Sequence, residues 1–459
     1  MTLREDSPGL DAEFGALLAG SAEEAGAPGA QLAVLKDGVL INSTFGLADV
    51  QQALSVTSDT HFRAGSTMKL MTACLIARLV DQGRLSFDAT VGSYLPSFCV
   101  ADGSASRVIT LRHLLSHTSG FDGDFFVDFG SLPEAIARYV DACADLPQLF
   151  TPGHFHSYNN AGFAILARVA EAVAAKPWAQ LMKEEVFAPL GMSNTHLDDA
   201  GLRHALGYVA GDDADLQPAE ESYPAALAPA GAGPLTTATD LAKLGSVLAN
   251  GGLSSEAARF LSEAAVSAMT AREVEGPAAT FASAWGLGAM LFDYQGGRTV
   301  VGHDGVVPGQ SAFLRADPKT GLVVALIANG GDMRHLAHSV LTGVFSRYTD
   351  TKPSQPGFTA LANGQDMRPC VGRYQARAAT VTVTAEGNHL VITARPTAEG
   401  AVGVPTFSAE AYPTEQPGLV AMMMDGQREP LLQRFVFDGT DSQAKAFVFR
   451  GRHYPRVGE

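Results

Sequence analysis

The sequence predicts an α+β protein: an antiparallel sheet flanked by helices and carrying a large helical insertion, followed by a small C-terminal antiparallel β-barrel. Three observations predict it. Strand patterns open and close residues 1–350, while helical periodicity fills the middle. A polar stretch with Pro353, Pro356, Gly357 and Gly364 then spans 351–367 and reads as a linker. Beyond it, in 368–459, short β segments recur between turn residues, as in a small barrel or sandwich.

In chain order, residues 8–25 have helical character, with Leu10, Phe14, Leu17 and Leu18 on one side. Gln31 to Leu35 and Val39 to Phe45 read as a hairpin, because Asp37-Gly38 supplies the positive φ values that a tight turn needs. From Leu85 to Tyr223 the pattern is helical with long loops: a capped turn at Thr110–Leu115, then helices at Leu132–Ala144, Ala161–Ala175 and Trp178–Phe187. A helix from Thr239 to Asn250 follows the Gly- and Pro-rich run Pro229 to Pro234. Strands return at Trp285–Phe292, Thr299–Gly302, Ser311–Arg315 and Leu322–Ala328, before a helix at Met333–Tyr348. The barrel strands are read at 371–374, 380–384, 389–393, 419–424, 434–437 and 446–450, with turns such as Asp425-Gly426 and Asp438-Gly439.

One helix organises the chain. From Ser66 to Gln82 nearly every position is apolar, which marks a core helix buried on all sides, and Gly83 suits its C-terminal cap. Ser66 sits at the positive end of this helix, where backbone N–H groups lack partners, and Lys69 shares its face. A nucleophilic hydroxyl, an amine and donors for an oxyanion therefore coincide. The plain alternative is that Ser66 is only an N-cap. The spacing alone is weak, because Ser442-Gln443-Ala444-Lys445 repeats it inside a hairpin pattern with no buried helix.

Composition narrows the classes of function. Lys+Arg total 32 against 48 Asp+Glu, a formal charge of −16, which argues against nucleic acid or an anionic membrane as partner. No stretch reaches membrane-spanning length. Met1 to Asp6 carries no apolar signal segment, so this start, taken as native, predicts a cytoplasmic protein. Cys74, Cys99, Cys143 and Cys370 match no metal or redox spacing, and His154 and His156 lack a third ligand at suitable spacing. The expectation is an enzyme without metal or cofactor.

Two tripeptides complete the case for the first tetrad. Tyr158-Asn159-Asn160 precedes a helix of the insertion, and His303-Asp304-Gly305 ends a predicted strand. With Ser66-x-x-Lys69 they make three ordered motifs, and the chain over residues 8–348 resembles the serine β-lactamase and penicillin-binding protein superfamily. Leu114 to Gly120, Pro189 to Met192 and Gly302 to Gly309 with Asn329-Gly330 look like its scaffold blocks. The tail is similar to the lipocalin-like barrel of some D-aminopeptidases of this group.

The resemblance implies catalytic roles for Ser66, Lys69, Tyr158 and His303. Ser66 would form an acyl-enzyme, Lys69 would accept its proton, and Tyr158 would relay one to the leaving group. Asn160 would bond Lys69 or the substrate amide. The backbone N–H groups of Ser66 and of Val306, after Gly305, would form the oxyanion hole. His303 replaces the Lys of class C enzymes, and Asp304 is atypical as well. Its carboxylate would weaken substrate-carboxylate recognition and hold His303 protonated at lower pH. Both departures argue against β-lactamase activity, and a structural turn histidine is the alternative for His303. Arg63 and His117 read as scaffold. The expected function is a serine hydrolase of small peptide-like or ester substrates. The alternatives are a transacylase or macrocyclising thioesterase using the same intermediate, and a sensor that acylates once.

Overall fold

The hairpin at Asp37-Gly38 is the seed of a nine-stranded antiparallel sheet; Asp37 and Gly38 take φ of 52° and 76°. The computed structural model describes residues 7–198, 201–211, 215–276, 282–354, 366–397, 406–423, 430–437 and 443–458. In it β1 (Gly29–Lys36) pairs with β2 (Val39–Asp49) on one side and with β9 (Leu322–Ala328) on the other. Outward from β9 follow β8 (Gln310–Asp317), β7 (Arg298–Val307), β6 (Met290–Tyr294), β5 (Ala284–Trp285) and β4 (Val274–Glu275); β3 (Leu54–Ser55) edges β2. The strand that follows α1 thus lies beside the last strand of the sheet, third and fourth in the order of nine.

Helices cover both faces, so β9 is buried along its whole length. On one face α1 (Ser7–Ala25) and α7 (Met333–Tyr348) pack Phe14, Leu18, Val340 and Phe345 against Leu32, Val34 and Leu326. The larger core lies on the other face. There α2 (Thr67–Asp81) packs against α5 (Ala161–Ala174) within the insertion, which includes α3 (Leu111–Leu115) and α4 (Glu134–Ala142), while α6 (Ala238–Ala249) lies on the sheet in the same core. Gly83 ends α2 at φ 69°, as its sequence position predicts.

Two strand readings need correction. The run read as Trp285–Phe292 is two strands, broken around Gly288 at φ 75°. The strand read as Thr299–Gly302 continues to Val307, because residues 303–307 stay paired with β8 down to Val307↔Gln310. His303-Asp304-Gly305 is therefore strand, not strand end.

The C-terminal part is a closed eight-stranded antiparallel barrel. Its strands are β10 (Gly372–Gln375), β11 (Ala379–Glu386), β12 (His389–Pro396), β13 (Phe407–Pro413), β14 (Leu419–Met423), β15 (Leu431–Val436), β16 (Ala446–Phe449) and β17 (Arg452–Val457). The sequence reading lacks β13 and the final strand. Tyr374, Phe435, Phe447, Phe449 and Tyr454 fill the interior together with Val381, Ile392 and Met422. Ser442 of the second tetrad, residues 355–365 of the linker and the Asp425-Gly426 and Asp438-Gly439 turns lie outside the described residues. Ala444 and Lys445 lead directly into β16, not into a helix.

Candidate active site

Ser66 stands where α2 begins, with φ −66° and ψ −5°, and its hydroxyl makes no capping bond. Ser66 thus holds the N-cap position without capping through its side chain, and its hydroxyl meets the Lys69 amine instead. One turn on, the Lys69 side chain is fully buried and its Nζ donates to Ser66 Oγ at 3.1 Å and to the Ala230 carbonyl at 2.6 Å. The Ala230 contact comes from the Gly/Pro-rich run, which packs on the start of α2. A Cβ on Gly231, at φ 110°, would lie 2.0 Å from the Gly65 carbonyl oxygen, so glycine is what lets the two backbones meet. Arg63 fastens the same run: Nη1 donates to the Gly233 carbonyl at 2.5 Å, and Nε and Nη2 hold Glu221.

Burial pushes the Lys69 ammonium well below its ordinary range; the charge of Arg452 adds to this and that of Asp124 opposes it. The nitrogen lies 4.7 Å from the centre of the Tyr158 ring and 5.6 Å from that of Phe163 on α5. Burial pushes the Tyr158 phenol up, a shift opposed first by a hydrogen bond with Ser66. Ser66, Lys69 and Tyr158 are thus brought together.

Tyr158 is splinted by a residue that reads as scaffold. His117, at φ 59°, accepts Ser157 N–H on its carbonyl at 2.8 Å and Asn159 N–H on Nδ1 at 3.0 Å. Its ring stacks on the Tyr158 ring, centroids 4.4 Å apart. Bonding on both sides of Tyr158 fixes the phenol's direction.

On the sheet side, Asp304 N–H points to the β6 edge, reaching Met290 Sδ at 3.2 Å. Strand alternation puts Val306 N–H on that same edge, beyond Met290↔Gly302, where β6 pairing has ended. Gly305 backs onto the nucleophile: a Cβ there would stand 2.3 Å from the Ala64 carbonyl oxygen and 3.0 Å from Ser66 N. The amides of Ser66 and Val306 therefore flank one small region.

His303 is 1% exposed and packs edge-on to Trp285 at 5.7 Å. Its Nδ1 is 2.7 Å from the Asp304 carbonyl, which makes Nδ1 the donor and leaves Nε2 as an acceptor with no partner among the described residues. Burial, then the charge of Lys69, pushes its pKa down to about 3. The expectation that Asp304 holds His303 protonated is thereby overturned, since the contact is through the backbone. The Asp304 carboxylate is instead gripped by both Nη atoms of Arg315, one at 3.1 Å, so it is drawn away from the expected substrate-facing role. Asn160 also differs from expectation: its Nδ2 donates to Asp124 Oδ1 at 3.1 Å rather than to Lys69.

Asp124 leads to the feature that the motifs do not foretell. Arg452, in the β16–β17 hairpin of the barrel, donates through Nε to Asp124 Oδ2 at 2.6 Å and lies 4.9 Å from the Tyr158 ring centre. Beside it, Gly451 O accepts Tyr158 N–H at 2.8 Å, and His453 N–H donates to Ser157 Oγ at 3.1 Å. No sequence signal pairs a barrel turn with the insertion. Among the described residues no group of three or more His, Cys, Asp or Glu side chains is arranged to hold a metal.

Most of the chain is similar to known proteins. The profile of the family described as Beta-lactamase matches residues 14–341. Penicillin-binding protein 4 of Amycolatopsis lactamdurans is 37% identical over 326 residues, 69% of this chain and 84% of that protein. Esterase EstB of Burkholderia gladioli is 33% identical over 208 residues, 41% of this chain and 51% of EstB. The crystal structure of SurE superposes with a TM-score of 0.79 at 26% identity, covering 98% of this chain and all (100%) of that one. SurE with D-Leu gives 0.76 at 27% identity, over 98% and 100%.

Proposed function

The chain belongs to the β-lactamase family of serine hydrolases, and on that premise we propose that it cleaves an amide or ester of a peptide-like small molecule through an acyl-enzyme on Ser66. The observation that carries the proposal is the buried Lys69 amine at 3.1 Å from Ser66 Oγ. Lys69 in its neutral form takes the hydroxyl proton as Oγ attacks the substrate carbonyl. The resulting oxyanion lies between the amides of Ser66 and Val306, whose dipoles need no reorganisation. Tyr158, aimed by His117, passes a proton to the leaving group as its bond to the carbonyl breaks and regains one from the Lys69 ammonium. Water then attacks the acyl carbonyl, and its proton travels the same relay to Ser66 Oγ as the acyl–Oγ bond breaks. His303 Nε2 accepts a hydrogen bond from the substrate, with Gly305 keeping the backbone close. Asn160 acts through Asp124, and Asp304 through Arg315, so both shape the substrate wall without touching the reacting atoms.

The likeness to SurE with D-Leu, over nearly the whole chain, favours a D-configured residue at the cleaved bond. A D-amino acid bound beside Ser66 would be either a product of hydrolysis or an acyl acceptor. That observation keeps a second reading, acyl transfer to an amine with macrocyclisation as its intramolecular form. The test is a mass-spectrometric screen of peptides and esters with L- or D-residues flanking the cleaved bond, with and without added amines. Hydrolysis predicts acids whatever amine is present, and transfer predicts amides that grow with amine concentration. Stoichiometric acylation without turnover would leave a sensor as the surviving reading.

A further inference from the structure

The barrel interior is filled by its own side chains, with Phe435 and Phe447 stacked at 4.5 Å and Tyr374 bonded to the Cys370 carbonyl at 2.7 Å. Beside Tyr158 its contribution is made at its surface, by the hairpin between β16 and β17. Arg450-Gly451 forms the tight turn between β16 and β17, and Arg450 takes φ 49°, which a non-glycine residue adopts at a cost. The three residues that follow Arg450 each engage the insertion beside Tyr158, through Gly451 O, the Arg452 guanidinium and His453 N–H.

We propose that Arg452 is a positioning residue of the catalytic centre: paired with Asp124 and set beside the Tyr158 ring, it supplies from the barrel a fixed positive charge that keeps Lys69 a proton acceptor. The proposal rests on the reading of Ser66 and Lys69 given above. Arg452 Cζ and Lys69 Nζ lie 4.9 and 4.7 Å from the centre of one ring. The guanidinium is held in place from two sides. Nε and Nη2 meet Asp124 at 2.6 and 3.4 Å, and Nη1 donates to the Arg450 carbonyl at 2.9 Å. Asp124 is anchored in turn by Asn160.

Among the described residues, the hydroxyl-bearing, titratable and charged side chains that face or act on Lys69 come from five places: Ser66 on its own helix, Tyr158 and His117 from the insertion, His303 from β7, Asp124 from the loop before α4, and Arg452 from the barrel. Burial keeps His117 and His303 neutral over the working range and opposes ionisation of Tyr158. Among the described residues, the pair Asp124 and Arg452 therefore supplies the charges that act on Lys69 with opposite sign.

Opposite signs give a test that a merely structural role fails. The rate at which Ser66 is labelled by a fluorophosphonate is measured against pH for wild type, Arg452→Met, Arg452→Lys and Asp124→Asn. Removing the cation moves the acidic limb up by roughly one pH unit, and removing the carboxylate moves it down. Arg452→Lys, which keeps a positive charge at the same place, leaves the limb close to its wild-type position and well short of the Arg452→Met shift. If Arg452→Met does not fold, Asp124→Asn and Arg452→Lys still decide. Limbs that do not move, or that move in the same direction for Arg452→Met and Asp124→Asn, overturn the proposal. A wild type that labels elsewhere than Ser66 overturns the reading beneath it instead.

Discussion

The Nζ of Lys69 lies 3.1 Å from the Oγ of Ser66, inside the core rather than at its surface. A buried amine one turn from the nucleophile acts on every substrate alike, because each acylation requires the same proton removal. Lys69→Ala should lower turnover of a peptide and of a p-nitrophenyl ester together, by about 10²–10⁴-fold. Lys69→Arg should fare no better, since a guanidinium stays protonated. In wild type, activity should rise with pH through the lowered Lys69 pKa, as the amine becomes neutral. Paired kinetics on the two substrates check this; retained esterase activity in Lys69→Ala would contradict it.

Gly305 is tight against the nucleophile: a methyl group added there would reach the Ala64 carbonyl oxygen at 2.3 Å and Ser66 N at 3.0 Å. Gly305→Ala should part β7 from α2 and separate the amides of Ser66 and Val306. Loss of one oxyanion donor costs about 10²–10³-fold in kcat. The expected split is a kcat fall with KM little changed, read from ester hydrolysis.

His303 is held neutral, so no imidazole titration between about pH 5 and 8 should appear in its activity profile. Its Nε2, without a partner among the described residues, has a different task from Lys69. His303→Ala should depress peptide-like substrates more than small activated esters. An equal, near-complete loss on both would make His303 part of the obligatory proton relay.

Asp122 tests how the barrel docks. It is buried, accepts Arg377 N–H of the barrel at 2.6 Å, and has its pKa pushed up to about 6, chiefly by burial. A carboxyl raised in the folded state favours folding fully below its unfolded value of 3.8, and loses that contribution as pH rises through 6. Asp122→Asn keeps an acceptor without the charge. It should therefore be more stable than wild type at pH 7.5, by about 1–3 kcal/mol, with the gap closing below about pH 4. Urea unfolding at both pH values measures it, and a less stable variant at pH 7.5 would contradict the account.

How far the molecule is legible in its sequence follows from the range of each signal. The hairpin at Asp37-Gly38, helix α2 and the Ser66–Lys69 face are written in local periodicity and turn chemistry, which a sequence displays directly. The run of β7 on to Val307 has no such mark, because pairing with β8 overrides the interruption that Gly305 suggests. Asn160 and Asp304 take substrate roles only by analogy with their motifs. Their actual partners, Asp124 and Arg315, are chosen by tertiary packing. Ala230 and Arg452 lie farthest from any motif. One acts through a carbonyl that every residue possesses, and the other crosses from the barrel, so neither leaves a local pattern.

The most direct test of the account is the site of covalent capture. Wild type and Ser66→Ala are incubated with a fluorophosphonate and with a slowly released acyl donor, then digested and mapped by mass spectrometry. One adduct on the peptide bearing Ser66, absent from Ser66→Ala together with turnover, is the predicted result. An adduct at Ser442, or unchanged turnover in Ser66→Ala, would contradict it.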